Sequence, residues 1–116
     1  MGENIPRSAD PLALLPGTLD LLILRALRDG RLHGYNIARR LREVSNDVLQ
    51  VGESSLYPAL QRLLLDGYVR DEWGTSENNR RARYYVLTAA GRKQLGAEQE
   101  AFERMVSAIH AVLRFA

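Results

Sequence analysis

The chain has 116 residues, 46% hydrophobic and 26% charged, enough for one soluble domain with a core of its own. It has no cysteine, which removes disulfide frameworks, zinc–thiolate sites and thiol nucleophiles together and fits a reducing, cytoplasmic setting. Sixteen Lys+Arg against fourteen Asp+Glu leave a net charge of only +2, which argues against strong unspecific nucleic-acid binding, yet every cation except Lys93 is an arginine.

No apolar run approaches the roughly 18 residues of a membrane span. Residues 1–13 mix Gly, Asn, Pro, Ser and Asp without periodicity and are expected to form a flexible N-terminal tail. They carry no basic stretch followed by an apolar one, so no secretory signal is legible there.

The first helix follows Leu14-Leu15-Pro16-Gly17, with Thr18 as its expected cap and Asp20 in the positive first turn. Leu19, Leu22, Ile23, Ala26 and Leu27 form its core stripe. Leu21 and Leu24 add apolar surface outside that stripe, so the helix is expected to bury a second face against something else. A second helix runs from Gly34 to about Ser45, with Ile37, Ala38, Leu41 and Val44 inward and Arg39, Arg40, Arg42 and Glu43 outward. The arginines there are either a solvated face or phosphate contacts.

The third helix lies within Gly52–Tyr68 and has two unlike faces. Leu56, Ala59, Leu60 and Leu63 make the core side, with Leu64 at its margin. Ser54, Tyr57, Pro58, Gln61 and Leu65 make the other side, flanked by Ser55 and Arg62. That side offers hydroxyls, a phenol, an amide and a guanidinium, and no carboxylate before Asp66. A helix that enters a major groove needs such a surface. Pro58 is tolerated only near a helix N-terminus, which places the start at Glu53 to Ser55 with Ser54 as the expected cap.

Asp66-Gly67 ends this helix, and strands over 68–73 and 80–87 follow, joined by the polar six-residue tip 74–79. Val69, Tyr85 and Leu87 are expected inward. Arg81 and Arg83 share that parity and so belong beyond the core edge, where the hairpin projects. Thr88 caps a last helix from Ala89 to about Arg114. Leu95, Phe102, Val106, Ile109 and Leu113 make a heptad-like seam on it, widened by Met105 and Val112. At 1.5 Å per residue it is about 39 Å long, more than three short helices and a hairpin can cover. The surplus apolar face wants a partner.

The predicted fold is mostly α with a small β-hairpin: a winged helix-turn-helix over 14–88 and a long C-terminal dimerisation helix over 89–116. Within it the chain resembles the PadR family of transcriptional regulators, short type. The resemblance lies in L-L-P-G-T-L-D-L-L-I-L at 14–24, H-G-Y-N-I at 33–37 and S-S-L-Y-P-A-L-Q-R-L at 54–63. W-G-T-S-E-N-N-R-R-A-R-Y-Y at 73–85 and L-T-A-A-G-R at 87–92 complete it.

The resemblance implies a homodimer built through the last helix and the first, and a repressor of an inverted-repeat DNA operator. Its DNA-facing residues are then Ser54, Ser55, Tyr57, Pro58, Gln61 and Arg62 of the third helix, Tyr35 of the second, and Asn79, Arg80, Arg81 and Arg83 of the wing. The dimer would use Leu21 and Leu24 with Leu95, Phe102, Met105, Val106, Ile109, Val112 and Leu113. Some relatives release DNA when an aromatic compound binds between protomers, stacked on a tryptophan of the final helix. Here that helix has Phe102 and no tryptophan, so only an apolar effector at the dimer seam is kept open.

Simpler roles stand beside these. Tyr57 is a contact or a half-buried packing residue, Gln61 an adenine reader or a solvated amide, and Trp73 and Tyr85 cross-strand packing. His33 and His110 have no third group at metal-ligand spacing, and no nucleophile–base pair or phosphate-cradling glycine loop is legible. No cofactor and no enzymatic activity are expected. The rival reading is a winged-helix protein-interaction module that never touches DNA, for which exposed Leu65 would speak.

Overall fold

The computed structural model describes residues 17–116. The tail expected over 1–13 lies outside the described residues. Seven elements follow in order: α1 Thr18–Leu27, β1 Leu32–His33, α2 Gly34–Val44, α3 Glu53–Leu65, β2 Val69–Thr75, β3 Arg81–Leu87 and α4 Ala89–Leu113.

Helix α1 is the centre of the packing, touching α2, α3, β3 and α4. This overturns one expectation. Leu21 and Leu24 lie in the chain's own core, with Ile23 and Leu24 fully buried, while Leu19 and Leu22 are the half-buried pair. A helix surrounded on most sides has no spare face of the expected kind, and Leu24 has no surface to offer a second copy. The start also differs. Gly17, at φ +85°, is the N-cap, and no side chain caps the helix. Only glycine holds that left-handed conformation without cost.

Helix α2 is capped by His33, whose Nδ1 accepts the Asn36 N–H at 3.4 Å. Ile37 and Leu41 are buried and Ala38 half-buried, but Val44 is 79% exposed, not inward. The chain turns away directly after it, through Asn46 and Asp47, both at positive φ. In α3 the core side is as the periodicity predicts: Leu56, Ala59, Leu60 and Leu63 are all buried. Gly52, not Ser54, is the N-cap, so Pro58 is the sixth helical residue. Its missing N–H takes away the helical bond that would reach the Ser54 carbonyl. At the other end Gly67 sits at φ +78°, and the Tyr68 and Gly67 N–H groups donate to the Leu63 and Leu64 carbonyls at 3.0 and 3.1 Å. That pair of bonds is the Schellman stop.

Strands β2 and β3 form the expected hairpin, in the register Val69↔Leu87, Asp71↔Tyr85, Trp73↔Arg83, with the tip shortened to 76–80. Val69, Tyr85 and Leu87 face the core as expected. The sheet has a third member that sequence reading missed: β1 pairs antiparallel to β3, giving the order β1-β3-β2. Thr88 then caps α4, its Oγ1 accepting the Gly91 N–H at 3.0 Å and donating to the Gly67 carbonyl at 2.8 Å. Gly91 is buried so tightly that a Cβ there would lie 2.0 Å from the Tyr68 carbonyl oxygen. Leu95 belongs to the chain's own core, again not to a free dimer face. Phe102 packs at the core edge. Beyond it Met105, Ile109, Val112 and Leu113 are exposed. Among the described residues no helix is long and apolar enough to cross a membrane.

Candidate nucleic-acid interface

The outer side of α3 presents Ser54, Tyr57, Pro58 and Gln61 to solvent, with Ser55 half-buried and Leu65 fully outward. Of the two roles weighed for Tyr57, the packing one is realised, and part of the side chain stays exposed. Its side chain lies so close to Gly34 that a Cβ there would come within 2.7 Å of the phenol oxygen, yet the residue stays 44% exposed. Gly34 thus seats the Tyr57 ring on the first turn of α2 and leaves its edge outward.

Arg62 is placed differently from its neighbours. Its guanidinium donates to Asp20 of α1 at 2.8 Å, tying the last turns of α3 to the first turn of α1. Asp20 is 42 residues away in sequence, so no local pattern announced this pair. Both side chains are partly exposed, so the pair is worth a fraction of a kcal/mol up to about 1.

Between the start of α2, the flank of α3 and the hairpin lies a cleft of about 420 Å³. Tyr35, Tyr57, Arg80, Arg81 and Arg83 line it together. These five come from three separate stretches of the chain, and the fold sets them around one space. His33, Ser76 and Asn78 line it as well. Sequence reading gave none of the three a place in this site; Ser76 and Asn78 were signalled only by their nearness to the arginines. Ser54, Ser55, Pro58, Gln61, Arg62 and Asn79 are not among the lining residues. Asn79 has φ +58°, a turn conformation that asparagine tolerates, and its N–H donates to the Ser76 carbonyl at 2.9 Å.

The hairpin arginines differ in what holds them. Arg83 donates to Asp71 at 2.6 Å and lies 5.4 Å from the Tyr85 ring centroid. The Asp71 carboxylate is the main reason its guanidinium holds its proton even more firmly than usual. Arg81 lies over the Trp73 ring, 4.5 Å from its centroid. Burial pushes the Tyr85 phenol above its ordinary pKa, so it stays a neutral donor. On the opposite face of the hairpin, Arg70 and Arg31 both donate to Glu72 and hold its carboxyl below the usual range. Arg31 also stacks on Tyr84 at 4.1 Å.

The arginines of α2 divide. Arg39 pairs with Glu43 at 3.5 Å and Arg42 approaches Asp47 at 3.9 Å, which favours a solvated face for those two. His33 acts as a helix cap, and among the described residues no group of side chains is set to hold a metal ion.

The sequence and fold are similar to those of known proteins. The model of the "Transcriptional regulator PadR-like family" matches residues 23–97. A transcriptional regulator from Clostridium thermocellum superposes with a TM-score of 0.76 at 30% identity, over 84% of this chain and 95% of that one. A PadR family transcription regulator from Clostridium difficile R20291 gives 0.72 at 25% identity, over 84% and 99%. An uncharacterized 37.1 kDa protein in transposon TN4556 of Streptomyces fradiae is 40% identical over 85 residues, 73% of this chain but 23% of that protein. The chain therefore spans under a quarter of that relative.

Proposed function

This chain belongs to the transcriptional regulator PadR-like family, and on that premise we propose that it binds operator DNA as a homodimer and represses the genes it controls. As a regulator it is not an enzyme. The observation that carries the reading is the basic cleft. Tyr35, Tyr57, Arg80, Arg81 and Arg83 meet there beside the polar outer face of α3. No carboxylate lines it, so nothing in it repels phosphate.

In this reading Ser54, Ser55, Tyr57, Pro58 and Gln61 of α3 enter the major groove, and Gln61 offers its amide to base edges. Tyr35 meets the backbone, while Asn79, Arg80, Arg81 and Arg83 grip the flank. Arg62 reaches DNA only by leaving Asp20, so it serves first as a brace for the helix. The two-fold partner uses the exposed stretch of α4 with Met105, Ile109, Val112 and Leu113, joined by Phe102 and Val106. Two such copies place their α3 helices about 34–36 Å apart, which calls for an inverted repeat. The setting is the cytoplasm, where the operator lies. An apolar effector would sit at the dimer seam beside Phe102, Met105 and Ile109; the nearby α1–α4 hollow of about 290 Å³ is lined by Leu21 and Phe102 but also by Asp20 and Glu98. The effector would act by changing the spacing of the two reading helices.

The test is operator binding by wild type and by Arg81→Ala with Arg83→Ala, each across a salt series. Loss of affinity with a shallower salt slope supports the reading. If the double substitution leaves both unchanged, the wing has no part in binding. The protein-interaction alternative draws on Leu65, exposed at 78% on the reading helix. It gains if random-site selection enriches no sequence and Leu65→Ser removes a protein partner.

A further inference from the structure

The hairpin holds two arginines toward the same cleft by two unlike devices. Arg83 is fixed by a carboxylate, Asp71, at 2.6 Å. That contact orients the guanidinium but also offsets its charge, and it occupies donors that a phosphate would need. Among the described residues no ion pair involves Arg81; the carboxylate of this face, Asp71, pairs with Arg83. The Arg81 guanidinium carbon lies over an uncharged ring, 4.5 Å from the Trp73 centroid. A guanidinium stacked on a ring keeps its in-plane N–H donors free and keeps its full charge.

The register explains how the pair meets. Trp73 is opposite Arg83 and Thr75 is opposite Arg81, so Trp73 and Arg81 are diagonal neighbours on one face of the hairpin. Diagonal neighbours lie within reach of aromatic and long side chains. Trp73 is 58% exposed, on a protein with a single tryptophan. A ring that large gains little by burial at this position. Its contact with Arg81 is the interaction that accounts for its place.

We propose that Trp73 is a positioning residue for DNA binding: it fixes the Arg81 guanidinium toward the cleft without spending its charge. Of these two, Arg81 is then free to engage phosphate as it stands, whereas Arg83 can do so only by sharing its guanidinium with Asp71. This rests on the DNA-binding reading above. It adds that the wing's affinity depends on an aromatic side chain that itself touches no nucleic acid.

The experiment is a double-mutant cycle on a selected operator, with Trp73→Leu, Trp73→Phe, Arg81→Ala and Trp73→Leu with Arg81→Ala. Each variant's fold is checked by circular dichroism and thermal melting. Trp73→Leu is expected to weaken binding about two- to fivefold per protomer, the range for an exposed cation–π contact. Its salt slope stays at the wild-type value, because Arg81 is still charged. Trp73→Phe restores most of the affinity. Arg81→Ala flattens the salt slope by about one per protomer, and adding Trp73→Leu to it costs nothing more. The proposal is overturned if Trp73→Leu binds as wild type. It is equally overturned if the tryptophan penalty persists in the Arg81→Ala background, since Trp73 would then touch DNA itself. Failure of wild type to bind any selected DNA is a separate outcome, which removes the DNA-binding reading and the proposal with it.

Discussion

Gly34→Ala is the substitution that should separate folding from recognition. Gly34 is the first residue of α2 and is buried under the Tyr57 side chain. An alanine Cβ there would lie 2.7 Å from the phenol oxygen and 3.1 Å from two ring carbons. Ordinary contact needs about 3.5 Å, so the ring must move by roughly 0.5–1 Å. It can do so, because the obstructing atoms are the far end of an exposed side chain. The backbone gains from the change, since alanine exceeds glycine by up to about 1 kcal/mol in a helix. Net stability should therefore stay within about 1 kcal/mol of wild type. Recognition should not. A shift of 0.5–1 Å takes a phenol out of hydrogen-bond range, forfeiting roughly 0.5–1.5 kcal/mol per protomer. Two protomers on one operator give roughly a 5- to 150-fold loss. Thermal melting and fluorescence anisotropy on the same preparations measure both quantities. Tyr57→Phe should cost a similar factor alone and little more when added to Gly34→Ala. If Gly34→Ala folds normally and binds within twofold of wild type, Tyr57 is not held where operator binding needs it.

Four further outcomes are expected. Gly91→Ala forces a Cβ onto the Tyr68 backbone carbonyl, which cannot rotate away, and should destabilise by about 3 kcal/mol or more in denaturant unfolding. Gly96→Ala on the same helix meets nothing within 4 Å and should instead stabilise by up to about 1 kcal/mol. Met105→Glu with Ile109→Glu places unpaired carboxylates on the exposed stretch of α4. If α4 carries the proposed dimer, sedimentation should find this variant monomeric at concentrations where wild type self-associates, with dimer affinity down at least about 100-fold. Acid should loosen the outer face of the wing in a defined window. Glu72 titrates below its ordinary 4.5 because Arg70 and Arg31 donate to its carboxylate. Its contribution is thus complete above that value and is lost as pH falls through the lower folded one. Tyr84 and Arg31 resonances followed by NMR should hold steady from pH 8 to 5 and shift only below about 4.5.

Much of this fold is legible in the residues, and the exceptions have physical causes. The inward side of α3, the Thr88 cap and the inward triad Val69, Tyr85 and Leu87 all follow from strong local periods or capping chemistry. Strand β1 has two residues, too few to carry a period of two, so Leu32 and His33 gave no strand signal. Helix α1 defeated face assignment because it is apolar nearly all round and surrounded by four elements. Val44 kept the helical spacing but lies where the helix ends and its neighbours stop.

The candidate site divides in the same way. That Arg81 and Arg83 share a strand face is a matter of parity, and it was readable. That Asp71 takes Arg83, Trp73 takes Arg81 and Asp20 takes Arg62 depends on register and on long-range packing. No spacing within one element encodes those pairs. The crowding of Gly34 by Tyr57 is likewise a contact between two helices, invisible in either helix alone.

The most direct test of the whole reading is selection of binding sites for the wild-type protein from a random duplex library, followed by a salt titration on the best site. Enrichment of an inverted repeat is expected, with half-sites about 10–10.5 base pairs apart, bound by two copies and weakening steeply as salt rises. A library that emerges unenriched, from protein shown to be folded and dimeric, would contradict operator recognition by this chain.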